Sequence, residues 1–165
     1  MTASTTDLVS GPELQWRIEQ LQARYVLSID EDRLEQWPHF FVDDCCYKLQ
    51  SKENAERGMP IAAIFCDSKG MLIDRVVSLR QANIYEKHSY RHIVSSVVID
   101  GISNQIITAT SNYVVYRTRT NGVTQLYNTG IYRDKIVAVD GELLFEEKVV
   151  TFDTNSIDAL LATPI

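Results

Sequence analysis

Leu14, Ile18, Leu21 and Tyr25 recur every three or four residues, which lays one apolar stripe along a helix ending near Ile29. Ser10-Gly11-Pro12-Glu13 supplies its start: a hydroxyl able to accept the N–H at Glu13, with proline where a lost N–H costs little. Asp32 and Glu35 repeat the capping pattern ahead of a second, shorter apolar set, Leu34, Trp37, Phe40 and Phe41. Pro38 falls inside that set, so a short or bent helix is expected there. Residues 45–50 and 61–66 have the length and composition of short strands. Ser68 then caps a third helix carrying Leu72, Val76 and Leu79 on one face and ending near Asn83.

Past that point the period changes to that of sheet. Residues 90–99 are rich in β-branched side chains and lead to an expected turn at Asp100-Gly101. Residues 106–118 and 123–139 flank Asn121-Gly122, a strong hairpin signal, and Asp140-Gly141 turns the chain into a last strand over 142–153. Helices followed by a run of long strands predict an α+β fold with an antiparallel sheet. A long twisted sheet can curl round the N-terminal helices, burying one face and leaving the other to a partner. Residues 1–10 are expected to form a loose tail and 11–165 one domain.

Composition narrows the function more than the fold. A formal charge of -6 without a Lys/Arg cluster disfavours nucleic acid and anionic membranes as partners. No apolar run spans a bilayer, and the opening residues lack the pattern of a signal peptide, so a cytoplasmic location is expected. Three cysteines, two of them adjacent at Cys45 and Cys46, make no disulfide framework.

Metal chemistry finds little support. A Rieske cluster needs two Cys and two His, and Cys45, Cys46 and Cys66 never stand two residues from His39, His88 or His92. His88 and His92 with Glu86 could make a two-His, one-carboxylate set only on a helix. On an extended strand the two imidazoles lie roughly 13 Å apart. Cys45 has no adjacent base and is read as core. Acid–base chemistry is the more serious possibility. Asp30 at the end of the first helix and His92 on the first long strand could form a proton-transfer pair, with Tyr25, Tyr47 and Tyr113 able to face the same interior. The plainer alternative has Asp30 favouring the positive end of the next helix and one His92 nitrogen satisfying a backbone carbonyl. A ligand-binding cone without chemistry is a third possibility. Glu146-Glu147-Lys148 is read as a solvated or interface face of the last strand.

Two stretches carry a resemblance. Leu34-Glu35-Gln36-Trp37-Pro38-His39-Phe40-Phe41-Val42-Asp43-Asp44-Cys45 and Ile84-Tyr85-Glu86-Lys87-His88-Ser89-Tyr90-Arg91-His92-Ile93-Val94-Ser95 resemble the small, or beta, subunits of Rieske-type aromatic-ring-hydroxylating oxygenases. Met71-Leu72-Ile73-Asp74-Arg75-Val76, Ser78-Leu79-Arg80-Gln81-Ala82-Asn83 and the ending from Glu146 are similar to the same family in order and spacing. Glu35-Gln36-Trp37-Pro38 and Ala82-Asn83-Ile84-Tyr85-Glu86 most resemble the branch acting on single-ring aromatic carboxylates such as terephthalate, salicylate or anthranilate.

The resemblance implies a curled cone of the kind shared with ketosteroid isomerase, cystatin and scytalone dehydratase. It implies a small-subunit trimer within a hexamer of three large and three small subunits. The large subunit then carries a 2Fe-2S Rieske cluster and a mononuclear non-haem iron, and receives NADH-derived electrons through a reductase or ferredoxin. No catalytic, cofactor-binding or metal-binding residue carries over to any position here. Where the family often has a second charge after Lys148, this chain has Val149, so no interface salt bridge is assigned there. Arg91, Tyr116, Arg117, Arg119, Tyr127, Tyr132 and Arg133 are read as an interface group, being residue types enriched where proteins meet.

Overall fold

The computed structural model describes residues 11–82, 87–154 and 162–165. Helix α1 (Pro12–Asp30) lays Leu14, Ile18, Leu21, Tyr25, Val26 and Ile29 into the core, so the apolar stripe does what its period predicts. Gly11, with φ of 87°, occupies the N-cap position; Ser10 and the expected tail over 1–10 lie outside the described residues. The second apolar set forms a 3-10 helix (Leu34–Phe40) containing Pro38, and Phe41 leaves it to begin a strand. Asp32 and Glu35 cap nothing here. Both are gripped instead by Arg80, whose guanidinium lies 2.8 and 2.9 Å from the two Asp32 carboxylate oxygens and 2.7 and 3.0 Å from those of Glu35.

That grip has a consequence in acid. Hydrogen bonds from Arg80 pull the Glu35 carboxyl down to about 2. A depressed carboxyl contributes stability that is complete above its ordinary range and lost as pH falls toward the folded value. The site is exposed, so the contribution is only a few tenths of a kcal/mol. The denaturant midpoint of the parent should exceed that of Glu35→Gln slightly at neutral pH, and the gap should close in acid.

Strand β1 (Phe41–Ser51) is longer than expected and runs into a short helix, α2 (Lys52–Glu56), that the sequence did not suggest. Ser51 Oγ accepts the Asn54 N–H at 3.1 Å and starts that turn. Strand β2 (Ile64–Cys66) precedes helix α3 (Lys69–Gln81), where Ser68 Oγ accepts the Met71 N–H at 3.3 Å as the capping pattern predicts. Asn83 lies outside the described residues.

Four long strands follow: β3 (His88–Ser103), β4 (Ile106–Arg119), β5 (Thr124–Val139) and β6 (Glu142–Phe152). The expected turn at Asp100-Gly101 is instead part of β3. Its bend is an irregularity in register between Ile99 and Gly101, and the reversal comes at Asn104-Gln105, both with positive φ. A two-residue hairpin needs that conformation at both central positions, which Asn and Gln here supply without glycine. The later turns fall at Asn121-Gly122 and Asp140-Gly141 as expected.

The sheet order is β2-β1-β6-β5-β4-β3 and the sheet stays open. It is mixed rather than wholly antiparallel, because β1 pairs with β6 in parallel. The α+β cone expected from the sequence is otherwise the fold observed. The sheet's inner face, with Ile107, Tyr113, Tyr132, Ile136, Phe145 and Val150, closes over α1 and the 3-10 helix. Burial of each such side chain is worth about 1.5–3 kcal/mol. Trp37, fully buried, meets Phe41 and Tyr47 edge-on at ring-centroid distances of 5.9 and 5.1 Å.

Candidate functional site

Asp30 is the last residue of α1, and the helix axis delivers it to β3. There it meets His92: one carboxylate oxygen accepts the His92 backbone N–H at 2.8 Å, and the other lies 2.5 Å from Nδ1. The side chains of His92 and Asp30 are 0% and 2% exposed. The pair named from the sequence is therefore real, and both plainer readings of it fail. Asp30 turns inward rather than toward the next helix, and His92 bonds a carboxylate rather than a carbonyl. With Nδ1–H directed at Asp30, Nε2 carries the free lone pair, and it is buried without a hydrogen-bond partner among the described residues. A carboxylate orienting an imidazole is half of an acid–base unit. The other half, a ring nitrogen within reach of a substrate, is what a buried Nε2 does not provide. The geometry fastens α1 to the sheet edge.

The remaining candidates disperse. His88 is exposed at the start of β3 and lies against Tyr90, while His39 is exposed at the end of the 3-10 helix. Glu86 lies outside the described residues. Burial pushes the Cys45 thiol up to about 11 and raises Cys46 and Cys66 as well, which suits packing rather than nucleophilic use. Among the described residues, no group of three or more His, Cys, Asp or Glu side chains is placed to hold a metal ion. The donors present do not fit an iron–sulfur cluster or a non-haem iron, since His92 is tied to Asp30 and the two buried thiols have no paired histidines.

The largest polar feature of the interior was missed. Lys148, expected on a solvated or interface face, is 0% exposed. Its ammonium lies 3.1 and 3.2 Å from the Asp134 carboxylate oxygens, donates to Gln22 Oε1 at 3.0 Å and sits 3.9 Å above the Tyr132 ring. Gln22 Nε2 also donates to Asp134 at 2.5 Å, which closes a triangle between α1, β5 and β6. Burial outweighs mutual attraction for both ions: it lowers Lys148 to about 8 and raises Asp134. Only part of the signal was available. Gln22 interrupts the apolar face of α1, and Lys148 shares parity with the buried Val150 and Phe152, whereas an irregularity in register between Lys135 and Ile136 takes it out of parity with Phe145.

The proposed interface group also divides. Tyr132 and Arg117 are buried, Tyr127 and Arg119 half-buried, and only Arg91, Tyr116 and Arg133 stand exposed. The Arg117 guanidinium lies 4.6 Å over the Tyr127 ring, within its own chain. Exposed apolar side chains lie elsewhere. Ile93, Val98 and Ile102 stand on β3, the long edge strand, with Leu126, 60% exposed, near the β4–β5 turn. Trp16 and Leu27 on α1, and Met71, Ile73 and Val77 on α3, add to them. A sixteen-residue edge strand that α1 ties down at His92 and Val97, with exposed apolar side chains beside it, marks a place for another chain.

An open α+β cone whose interior is tied by its own ion pairs, and whose apolar surplus faces outward, is built as an assembly component. Residues 24–159 match the family model described as ring hydroxylating beta subunit. The chain is 46% identical to the small subunit of anthranilate 1,2-dioxygenase from Burkholderia cepacia, over 96% of this chain and 99% of that one. It is 36% identical to the terephthalate 1,2-dioxygenase terminal oxygenase component subunit beta 1 from Comamonas sp, over 90% and 97%. A solved beta subunit of an aromatic-ring-hydroxylating dioxygenase from Novosphingobium aromaticivorans superposes with a TM-score of 0.84 at 45% identity, covering 92% of this chain and 96% of that one. The chain belongs to the ring-hydroxylating dioxygenase beta subunits, the small components of an oxidoreductase. No described helix is long and apolar enough to cross a membrane.

Proposed function

We propose that this chain is the structural subunit of a cytoplasmic, multicomponent oxygenase that hydroxylates a single-ring aromatic acid with O2 and NADH-derived electrons. Residues 11–165 act as one unit, and none of them takes part in the chemistry. The 2Fe-2S Rieske cluster and the mononuclear non-haem iron belong to the large subunit, which receives electrons through a reductase or ferredoxin. Three small subunits form a trimer and hold three large ones in a hexamer. The kinship with anthranilate and terephthalate dioxygenase small subunits supports the substrate class.

The observation that carries this reading is the way the interior uses its reactive groups. Asp30, His92, Asp134 and Lys148 bond to one another across α1, β3, β5 and β6, while apolar side chains stand exposed on the sheet edge and helices. An obligate interface burying more than about 2,000 Å² is the usual fate of such surface. Expression alone and beside the large subunit tests it. The isolated chain should be colourless and turn over no aromatic acid; co-expression should give a red-brown hexamer that does so once NADH and the reductase are supplied. Turnover by the isolated chain, lost in Asp30→Asn or His92→Ala, would establish the acid–base alternative.

His92→Ala should lower stability by about 2 kcal/mol, the worth of a hydrogen bond to a charged group. The check is urea unfolding together with turnover per iron in the assembled hexamer. Stability or yield should fall while turnover per iron holds. Normal assembly with abolished turnover would count against the structural role.

A further inference from the structure

A cavity of about 260 Å³ opens between α2 and the face of the sheet turned away from the core. Lys52, Ala55 and Glu56 line it from the helix, where residues three and four apart share one side. Ile131 and Arg133 line it from β5, alternating with the buried Gly130, Tyr132 and Asp134 of the opposite face. Thr151 of β6, the direct register partner of Ile131, and Asp153 just beyond that strand complete the wall.

Opposite charges surround this place without bonding to one another. Glu53 and Arg57, four residues apart beside it, pair at 2.7 Å. Lys52 and Glu56 have the same spacing, yet neither side chain makes an ion pair or hydrogen bond among the described residues, and neither does that of Arg133. Asp153 is fixed in position: its N–H donates to the Thr129 carbonyl and its Oδ2 accepts the Thr129 hydroxyl, both at 2.9 Å. Thr151 is 6% exposed, and its Oγ1 is buried with no hydrogen-bond partner among the described residues. Buried hydroxyls are ordinarily bonded, so one left over beside a cavity points to what the cavity takes. A plain anion would meet Glu56 and Asp153, and a plain cation would meet Lys52 and Arg133. A molecule carrying both charges can set each against its opposite. The volume lies below the range of about 300–1,000 Å³ usual for larger ligands, which limits the occupant to a small one.

We propose that this cavity binds a free amino acid with a small apolar side chain. The planar fork of Arg133, helped by Lys52, takes the carboxylate. Glu56 and Asp153 take the ammonium, Thr151 Oγ1 bonds one polar end, and Ile131 and Ala55 receive the side chain. All seven residues belong to this chain, so the isolated subunit suffices for a test, whatever it assembles with.

L-valine is the probe, titrated into the full chain while the methyl resonances of Ala55 and Ile131 are followed. They should shift saturably, with a Kd on the order of a millimolar. Isovalerate lacks the ammonium and isobutylamine lacks the carboxylate; each should bind about fivefold or more weakly, the worth of one partly exposed charge pair. Arg133→Gln and Glu56→Gln should each weaken L-valine by about the same factor. Both positions are exposed, so both variants should keep the urea midpoint of the parent. Isovalerate binding as tightly as L-valine would make this a simple anion site and overturn the proposal. An absence of saturable shifts, or an L-valine affinity unmoved in either variant, would overturn it as well.

Discussion

Asp134→Asn should destabilise the subunit by about 3–5 kcal/mol, enough to cut its soluble yield. The substitution keeps the shape of the side chain and one oxygen for Gln22, yet leaves the Lys148 ammonium inside the cone without a counter-charge. Three aromatic rings lie within 4.6 Å of that ammonium. They soften the loss without replacing an anion, since a cation–π contact is worth about 2 kcal/mol when desolvated. Lys148 already titrates near 8, lowered by burial against the pull of Asp134. Without Asp134 it sheds its proton more readily.

The sign of the pH effect follows. The unfolded lysine holds its proton to a higher pH than the folded one, so this group's penalty is full below about 8. It is relieved as pH rises from there toward the unfolded value. Urea unfolding of the parent, Asp134→Asn and the double variant Asp134→Leu with Lys148→Met checks all of this. The double variant should recover most of the loss, because removing both charges leaves nothing uncompensated. It should also lack the alkaline relief. A single variant as stable as the parent would mean that water reaches the triangle.

Gly130→Ala should cost about 3 kcal/mol or more. Gly130 sits on β5 opposite Phe152 of β6, and its backbone conformation is available to any residue. Space is the constraint. An added methyl carbon would lie 2.1 Å from the Thr151 carbonyl oxygen, 2.9 Å from the Phe152 Cα and 2.8 Å from the Tyr113 hydroxyl. Two of those three are backbone and cannot swing aside. The Tyr113 ring stacks on Tyr132 at 4.5 Å, and its hydroxyl donates to Asn128 at 2.6 Å, so it cannot move freely either. Strands β5 and β6 would have to part where the sheet closes over the core. Thermal unfolding should show a clear drop for Gly130→Ala and almost none for Gly101→Ala, whose nearest neighbour, the Thr108 hydroxyl, lies at 3.7 Å.

Local order was legible where one period or one cap decided the matter. The stripe on α1, the Ser68 cap and two of the three long hairpins follow from residues within a few positions of one another. The Asp100-Gly101 turn misled because glycine after aspartate is as suited to a bulge as to a reversal, and Asn104-Gln105 gives a weaker signal. The parallel pairing of β1 with β6 was not legible, since it joins segments about a hundred residues apart that carry no mark of each other.

The Asp30–His92 pair was foreseen because both residue types announce chemistry. Lys148 was not, because a charged run suggests solvent unless its register is known. Parity counted from the Asp140-Gly141 turn puts Asp134 on the inner face with Tyr132 but Lys148 opposite Phe145. The register irregularity between Lys135 and Ile136, invisible in the sequence, is what turns Lys148 inward with Val150.

Because the sixth strand lies between the first and the fifth, the first cannot find its place until nearly all the domain has left the ribosome. Such sequence-distant pairing slows folding. During that wait Phe41, Tyr47 and Leu49 have no sheet to enter, and the nascent subunit is most open to aggregation or chaperone capture. Synthesis rate and growth temperature should therefore govern its recovery more than the amount of messenger.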